Sequence, residues 1–283
     1  MPKKTISNFY EMKEKGEKIS QLVVYDCHMA KLAEQTGIDM LLAGDSVGMA
    51  VYGMKGTVPV TMDQMIAHSI AVRRGAPNTH VTGDLPFGSY QASVSDAVRN
   101  ATRFFKEAEV DSVKLEGGRA LAPQIKAIVE SGMPVIGHIG ITPQYAAVLG
   151  GFKAQGNTAE TAMRLLEDAK AIEDAGAFMV VLEGVPAETG KYITNHLKIL
   201  TLGGGAGPHC DGQAMLSIDL LGIFEEFTPK FAKKYVNLAE EIRIAFQAFN
   251  GEVKDLRFPE EKHCYKMKAG EAEKLEAVIK QSS

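Results

Sequence analysis

The stretch Leu41-Leu42-Ala43-Gly44-Asp45-Ser46-Val47-Gly48 gives the clearest indication of the fold. It begins as a short apolar run, which is typical of a strand buried on both faces, and it ends in a carboxylate, a hydroxyl and flanking glycines. Three further apolar runs end in an acid in the same way, at Asp84, Glu116 and Glu183. Packing does not require an acid at the end of a buried strand. Four such strands therefore predict a functional site, and the oxygen ligands favour a metal site.

Short buried strands alternate with amphipathic helices along the chain. The pattern predicts strands at residues 21–26, 40–45, 80–84, 112–116, 134–138, 179–183, 199–202 and 214–218. This alternation favours a parallel sheet closed into a (β/α)8 TIM barrel, whose functional residues lie at the carboxyl ends of the strands. A doubly wound open sheet is the alternative. It would need a glycine-rich turn after the first strand, where Tyr25-Asp26-Cys27-His28 stands instead.

Two terminal segments lie outside this repeating pattern. Residues 5–18 predict a polar N-terminal helix whose thin apolar face, with Phe9 and Met12, would close one end of the barrel. Residues 237–283 are polar with helical spacing, and they predict a peripheral C-terminal helical extension. The sequence contains no low-complexity linker, so we expect residues 1–283 to form a single (β/α)8 barrel domain.

The composition limits the class of protein. A chain of 283 residues with 45% hydrophobic and 23% charged residues can bury a large core. A net charge of -4 gives no reason to expect nucleic acid or an anionic membrane as a partner, so we expect a small-molecule ligand. No apolar run approaches the roughly 20 residues of a membrane span. The three cysteines, Cys27, Cys210 and Cys264, lack the Cys-x-x-Cys pattern, which favours a reduced, cytoplasmic protein.

Several blocks of the sequence also occur together in one known family. They are residues 25–26, 44–48, 71–77, 84–87, 113–118, 137–144, 150–156, 182–186, 205–213 and 229–233, in the family's order. On these blocks the chain resembles the ketopantoate hydroxymethyltransferase family. The resemblance implies a TIM barrel assembled as a homodecamer, with one Mg²⁺ bound per subunit. It also implies transfer of a hydroxymethyl group from 5,10-methylenetetrahydrofolate to 2-oxoisovalerate, which gives ketopantoate for pantothenate biosynthesis.

The resemblance assigns a role to each acid of the predicted metal site. Asp45 and Asp84 match the family's metal ligands and would also lie against the bound keto acid, and Glu116 matches a carboxylate that reaches the metal through water. The assignment suits the chemistry, because two protein carboxylates, two substrate oxygens and one or two waters complete the octahedron of oxygen ligands that Mg²⁺ prefers. A third direct carboxylate would leave fewer open positions.

The other matched residues bind the keto acid or take its proton. Ser46 and Lys114 match groups that hold the keto acid. Glu183 matches the catalytic base, the alternative being a plain salt-bridge partner. His138 lies in a matching block beside the substrate, and its role is open between a substrate contact and a buried structural histidine. Lys114 stands two residues before Glu116 and therefore faces the same side of its strand.

Other assignments have structural alternatives as well. Asp45 and Asp84 could cap the helices that follow their strands. Lys114 and Glu116 could form an ion pair that serves only the fold. The glycine-rich run 203–207 could grip a phosphate or the folate tail through backbone N–H groups, or it could serve close packing.

A few positions depart from the family's pattern. Cys27-His28-Met29 stand where aromatic residues are frequent, and Val23 replaces a usual Thr, so these residues bear on the preference for one keto acid. Gly204 replaces a branched apolar residue, which bears on the shape of the loop after the seventh strand.

The rival function is that of a Mg²⁺-dependent carbon–carbon lyase or mutase of the isocitrate-lyase and phosphoenolpyruvate-mutase type, which shares the barrel and the enolate chemistry. Such proteins are expected to carry a catalytic-loop motif of the Lys-Lys-Cys-Gly-His kind, and the sequence contains none. A catalytically silent barrel would be expected to lack Asp45, Asp84 or Glu183, and all three are present.

Overall fold

The computed structural model describes residues 2–282, which divide into two compact units, residues 2–236 and residues 237–282. The strands, all in the first unit, are β1 (Ile19–Val23), β2 (Met40–Ala43), β3 (His80–Asp84), β4 (Ser112–Glu116), β5 (Val135–Gly140), β6 (Met179–Glu183), β7 (Leu200–Gly204) and β8 (Gly212–Leu216). They pair in parallel and in sequence order, and β8 closes on β1. The predicted (β/α)8 barrel is therefore confirmed. A single domain over residues 1–283 stays a prediction.

Helices connect the strands and cover the outside of the barrel. In the first unit they are α1 (Ile6–Lys15), α2 (Cys27–Gln35), α3 (Val47–Ala50), α4 (Met62–Gly75), α5 (Val94–Glu107), α6 (Ala122–Glu130), α7 (Ala146–Leu149), α8 (Ala159–Asp174), α9 (Ala187–Asn195) and α10 (Ser217–Leu220). The second unit contains α11 (Leu238–Lys254) and α12 (Glu271–Ser282), so the C-terminal segment is helical as predicted. None of the helices within residues 2–282 is long and apolar enough to cross a membrane.

The first and last strands begin and end earlier than the sequence predicted. β1 ends at Val23 instead of continuing to residue 26, although Val24 and Tyr25 remain buried. Asp26 does not extend the strand, because its carboxylate accepts hydrogen bonds from the N–H groups of His28 and Met29 and so caps α2. Hydrophobicity continues past the strand because the loop that follows is itself buried.

The N-terminal helix α1 lies over the amino ends of the strands. Thr5 and Asn8 form a capping box at its start, and Gly16 ends it in a left-handed conformation. Phe9 is fully buried and packs edge-on against His80, with 5.3 Å between the ring centroids. The Tyr10 hydroxyl donates to the Phe178 carbonyl, directly before β6. The helix therefore closes the end of the barrel opposite the carboxyl ends of the strands.

His80 is a buried titratable group beneath this helix. It is 3% exposed, and its Nε2 lies 2.9 Å from Ser112 Oγ. Burial lowers the pKa of His80 to about 4, and the nearby Asp111 charge opposes this shift only in part. The folded chain therefore holds His80 neutral at a pH where the unfolded chain protonates it.

Acid should destabilise the fold through His80. Its folded pKa of about 4 lies below the ordinary 6.5, so the unfolded state binds more protons between these values and stability falls as pH falls through this window. The loss approaches about 3 kcal/mol near pH 4. Urea unfolding at a series of pH values should show this loss of stability. The variant His80→Gln should remove the part of the pH dependence of the unfolding free energy that comes from His80. A variant with the same slope as the unaltered chain would contradict the assignment.

Candidate active site

The carboxyl ends of the strands surround one cavity of about 970 Å³. All residues that the sequence predicted for the site line this cavity: Asp45, Ser46, Asp84, Lys114, Glu116, His138 and Glu183. They follow or belong to β2, β3, β4, β5 and β6. Parallel strands end at the same rim, which is why residues distant in sequence meet there.

Lys114 lies between two buried carboxylates. Its Nζ is 2.7 Å from Asp84 Oδ1 and 3.5 Å from Glu116 Oε1. All three side chains are nearly inaccessible, with Lys114 5% exposed and both acids 1% exposed. Lys114 and Glu116 do face the same side of β4, as their spacing predicted. Their ion pair belongs to the cavity lining, so it is not remote from the site.

Asp45 reaches the same cluster from the turn after β2. Its backbone N–H donates to Asp84 Oδ2 at 3.1 Å. The turn needs glycine at position 44, since a Cβ there would lie 2.8 Å from Val23 Cγ1. Neither aspartate caps a helix: the helices that follow their strands have Ser46, Thr61 and Ser93 at the N-cap. The capping alternative for these two acids is therefore wrong.

The cluster has more negative than positive groups. Burial raises the pKa of Asp45 well above its usual range, and the charges of Asp84 and Glu116 raise it further. Burial likewise raises the pKa of Asp84, although Lys114 opposes this. Burial alone would lower the pKa of Lys114, but the surrounding carboxylates raise it above its usual value. One ammonium group therefore stands against three carboxylates, and a further cation would be stabilised beside Asp45.

The residues fit a hard divalent cation in their donor chemistry. Asp45 and Asp84 present adjacent carboxylates, and Asp45 Oδ1 accepts no hydrogen bond from the described part of the chain. Among residues 2–282, no three His, Cys, Asp or Glu side chains are grouped closely enough to hold a metal by themselves. The predicted arrangement needs only two direct protein ligands, because substrate and water oxygens supply the others.

His138 lies between Glu116 and Glu183. Its Nδ1 is 3.4 Å from Glu116 Oε1, and its Nε2 is 3.3 Å from Glu183 Oε2. These are ion-pair distances, although neither ring nitrogen makes a hydrogen bond of good geometry. Burial and Lys114 lower the pKa of His138, but the two carboxylates outweigh them and raise it to about 9. The Glu183 side chain is 27% exposed, which makes it the most accessible acid of the group.

Gln144 connects the cluster, and sequence reasoning missed it. Its Nε2 donates to Asp45 Oδ2 at 2.8 Å and to the Leu85 carbonyl at 2.9 Å, and its backbone N–H donates to Glu116 Oε2 at 2.9 Å. The Tyr90 hydroxyl donates to Gln144 Oε1 at 2.5 Å. Gln144 lies in the matching block 137–144, but nothing in its spacing indicated that its side chain turns towards Asp45.

Packing favours glycine at two positions directly after β7. A Cβ on Gly205 would lie 2.6 Å from the Phe231 ring, and one on Gly207 would lie 2.5 Å from the Ala187 Cβ. Both residues also have positive φ, which favours glycine. Among the positions that depart from the family's pattern, Val23 lines the cavity. Residues 27–29 begin α2 and are outside the cavity lining.

Comparison with known proteins identifies close relatives over nearly the whole chain. Residues 3–261 match the family model described as ketopantoate hydroxymethyltransferase. The chain is 52% identical over 263 residues to a 3-methyl-2-oxobutanoate hydroxymethyltransferase of Alkaliphilus metalliredigens (93% of each chain). It is 53% identical over 261 residues to the enzyme of the same name from Syntrophus aciditrophicus (92% of this chain, 96% of the relative).

A solved structure supports the fold independently. The chain resembles 2,3-dimethylmalate lyase, a member of the PEP mutase/isocitrate lyase superfamily, with a TM-score of 0.59 over 97% of this chain and 98% of the other. The two are only 16% identical, so this likeness supports the barrel and not the rival lyase function.

Proposed function

Because the chain belongs to the ketopantoate hydroxymethyltransferase family, we propose that it transfers a hydroxymethyl group from 5,10-methylenetetrahydrofolate to 2-oxoisovalerate, giving ketopantoate. The observation that carries this proposal is the division of the cavity acids into two groups. Asp45, Asp84 and Glu116 are buried around Lys114, whereas Glu183 is partly accessible beside His138. The buried cluster around Lys114 can hold a substrate, and the accessible Glu183 can take the substrate's proton.

The reaction removes a proton from a tertiary carbon beside a ketone. The C3–H bond breaks, a bond forms from C3 to the methylene carbon, water supplies the hydroxyl oxygen, and tetrahydrofolate leaves. Asp45 and Asp84 would hold Mg²⁺, with Glu116 reaching it through water. When bound, Mg²⁺ supplies Lewis acidity to the keto acid's oxygens.

The chain's own residues bind the keto acid and move the proton. Lys114 brings a positive charge to the floor of the cavity, where it attracts the anionic substrate, and the Ser46 hydroxyl can donate to a substrate oxygen. Glu183 takes the C3 proton as general base. His138, 3.3 Å from the Glu183 carboxylate, orients it and stands beside the substrate. Assembly as a homodecamer and a cytoplasmic location stay predictions.

A direct assay tests the proposed function. The purified chain is incubated with 5,10-methylenetetrahydrofolate, Mg²⁺ and a panel of branched 2-oxo acids, and the products are identified by mass spectrometry. We expect ketopantoate from 2-oxoisovalerate. Absence of a hydroxymethylated product from every 2-oxo acid would overturn the proposal.

Metal removal should lower turnover. Treatment with a chelator is expected to reduce the rate by about a thousandfold or more, because polarisation of the substrate by a cation is worth several kcal/mol. Added Mg²⁺ should restore the rate, and Mn²⁺ or Co²⁺ should restore part of it, since carboxylate and substrate oxygens accept any six-coordinate cation of this kind. Full activity in the presence of the chelator would contradict the metal assignment.

A further inference from the structure

The cavity has a second kind of lining besides the charged cluster. Aromatic rings from two loops line it: Phe152 from the loop before α8, and Phe224, Phe227 and Phe231 from the loop between α10 and α11. Phe224 and Phe227 pack edge to face, with 5.3 Å between their ring centroids. The volume of about 970 Å³ lies at the upper end of the roughly 300–1,000 Å³ found for drug-sized ligands. The cavity therefore accommodates a large ligand with flat rings in addition to a small keto acid.

Asp219 is a buried carboxylate in this cavity that the proposed mechanism does not use. It lies in α10, directly after β8, and it is 4% exposed. Within residues 2–282 no group donates a hydrogen bond to its side chain, and the only charged neighbour that affects it is Lys234, which lies beyond salt-bridge distance. Burial raises the pKa of Asp219, and the more distant Lys234 opposes this shift. A buried carboxylate without donors is unfavourable, so a ligand that brings donors would be bound there.

We propose that Asp219 binds the 2-amino-4-oxopyrimidine edge of the folate ring system, while the neighbouring phenylalanines contact the ring faces. This inference rests on the proposed function. The edge carries two adjacent donors, the ring N3–H and the 2-amino group, which match the two oxygens of one carboxylate as a bidentate pair. Aromatic side chains favour stacked or edge-on contact with such rings. The keto acid does not suit Asp219, because both are anions.

Lys230 supports an orientation in which the folate ring lies deep in the cavity and the tail points outwards. It is exposed, lines the same cavity, and comes from the segment that also supplies Phe227 and Phe231. The folate tail ends in the carboxylates of glutamate, which an exposed cation attracts. The ring would therefore lie at the buried Asp219, and the anionic tail would point towards the exposed Lys230.

A ligand lacking one donor tests the pairing directly. Tetrahydrofolate and its 2-desamino-2-methyl analogue are titrated calorimetrically into the unaltered enzyme and into Asp219→Asn. The unaltered enzyme should prefer tetrahydrofolate at least about tenfold, because a hydrogen bond to a charged group contributes about that factor. Asp219→Asn should prefer tetrahydrofolate over the analogue by less than about twofold. An Asp219→Asn variant that keeps the full preference would overturn the inference.

Steady-state kinetics separates this inference from the proposed function. In Asp219→Asn the KM for 5,10-methylenetetrahydrofolate should rise at least about tenfold, whereas the KM for 2-oxoisovalerate should change less than about twofold. Circular dichroism checks that the variant folds, and Asp174→Asn, an exposed acid on α8, is the matched control. If the unaltered enzyme forms ketopantoate but Asp219→Asn shows neither change, the inference alone fails. If the unaltered enzyme binds no tetrahydrofolate, both fail.

Discussion

Glu183→Gln is expected to exchange the C3 proton of 2-oxoisovalerate at least about a hundredfold more slowly than the unaltered enzyme, the low end of what a positioned base contributes. Glutamine keeps the volume and the hydrogen-bonding shape of the side chain, so binding should survive while proton abstraction is lost. The measurement is deuterium incorporation at C3 in D₂O with Mg²⁺ and without folate. Keto-acid affinity is measured in parallel by calorimetry, and we expect it to change little.

A matched control lies a few residues away. Glu188 is exposed in the first turn of α9, and Glu188→Gln removes one carboxylate from the same segment without touching the cavity. It should exchange the proton at the normal rate. Normal exchange by Glu183→Gln would place the base elsewhere. His138, whose ring nitrogens contact both Glu116 and Glu183, would then be tested first with His138→Gln.

Asp84→Asn should lower Mg²⁺-dependent turnover by about a thousandfold or more, because several kcal/mol of charge stabilisation by the cation are lost with its ligand. Asparagine is preferred to alanine because Lys114 lies 2.7 Å from the Asp84 carboxylate. Removing the whole side chain would weaken the pairing of a buried ammonium group, which costs roughly 3–5 kcal/mol of stability. An amide oxygen can still accept from Lys114.

Metal binding gives a readout that does not depend on turnover. Mn²⁺ affinity, measured by electron paramagnetic resonance of the free ion, should fall at least about tenfold in Asp84→Asn and stay unchanged in Asp174→Asn. The thermal midpoint of unfolding shows whether the variant is folded. A folded Asp84→Asn protein with normal Mn²⁺ affinity would show that Asp84 does not bind the metal.

The strands and their terminal acids could be predicted from the sequence because each depends on a local pattern. A strand buried on both faces needs a nearly continuous apolar run, and the acid that ends it breaks this run visibly. β3, β4 and β6 begin and end where the pattern predicted. β1 ends three residues and β8 two residues before the predicted position, because the apolar run continues into a buried loop after β1 and into α10 after β8.

Residues whose roles depend on neighbours distant in sequence could not be predicted. Gln144 binds Asp45 only because the loop after β5 crosses towards β2, and no local pattern indicates this. Asp219 resembles any acid in the first turn of a helix until the fold shows that it lines the cavity and that no described residue donates a hydrogen bond to its side chain.

The sequence by itself determined the strand order, the barrel and the set of acids at its rim, because strand periodicity and chain direction place every carboxyl end on one side. Only the tertiary structure decided which acids pair with a lysine side chain and which remain accessible to solvent. Asp84 is paired with Lys114, whereas Glu183 stays partly open beside His138. The reason is that burial and charge neighbourhood arise from contacts between strands, and these contacts exist only once the barrel has closed.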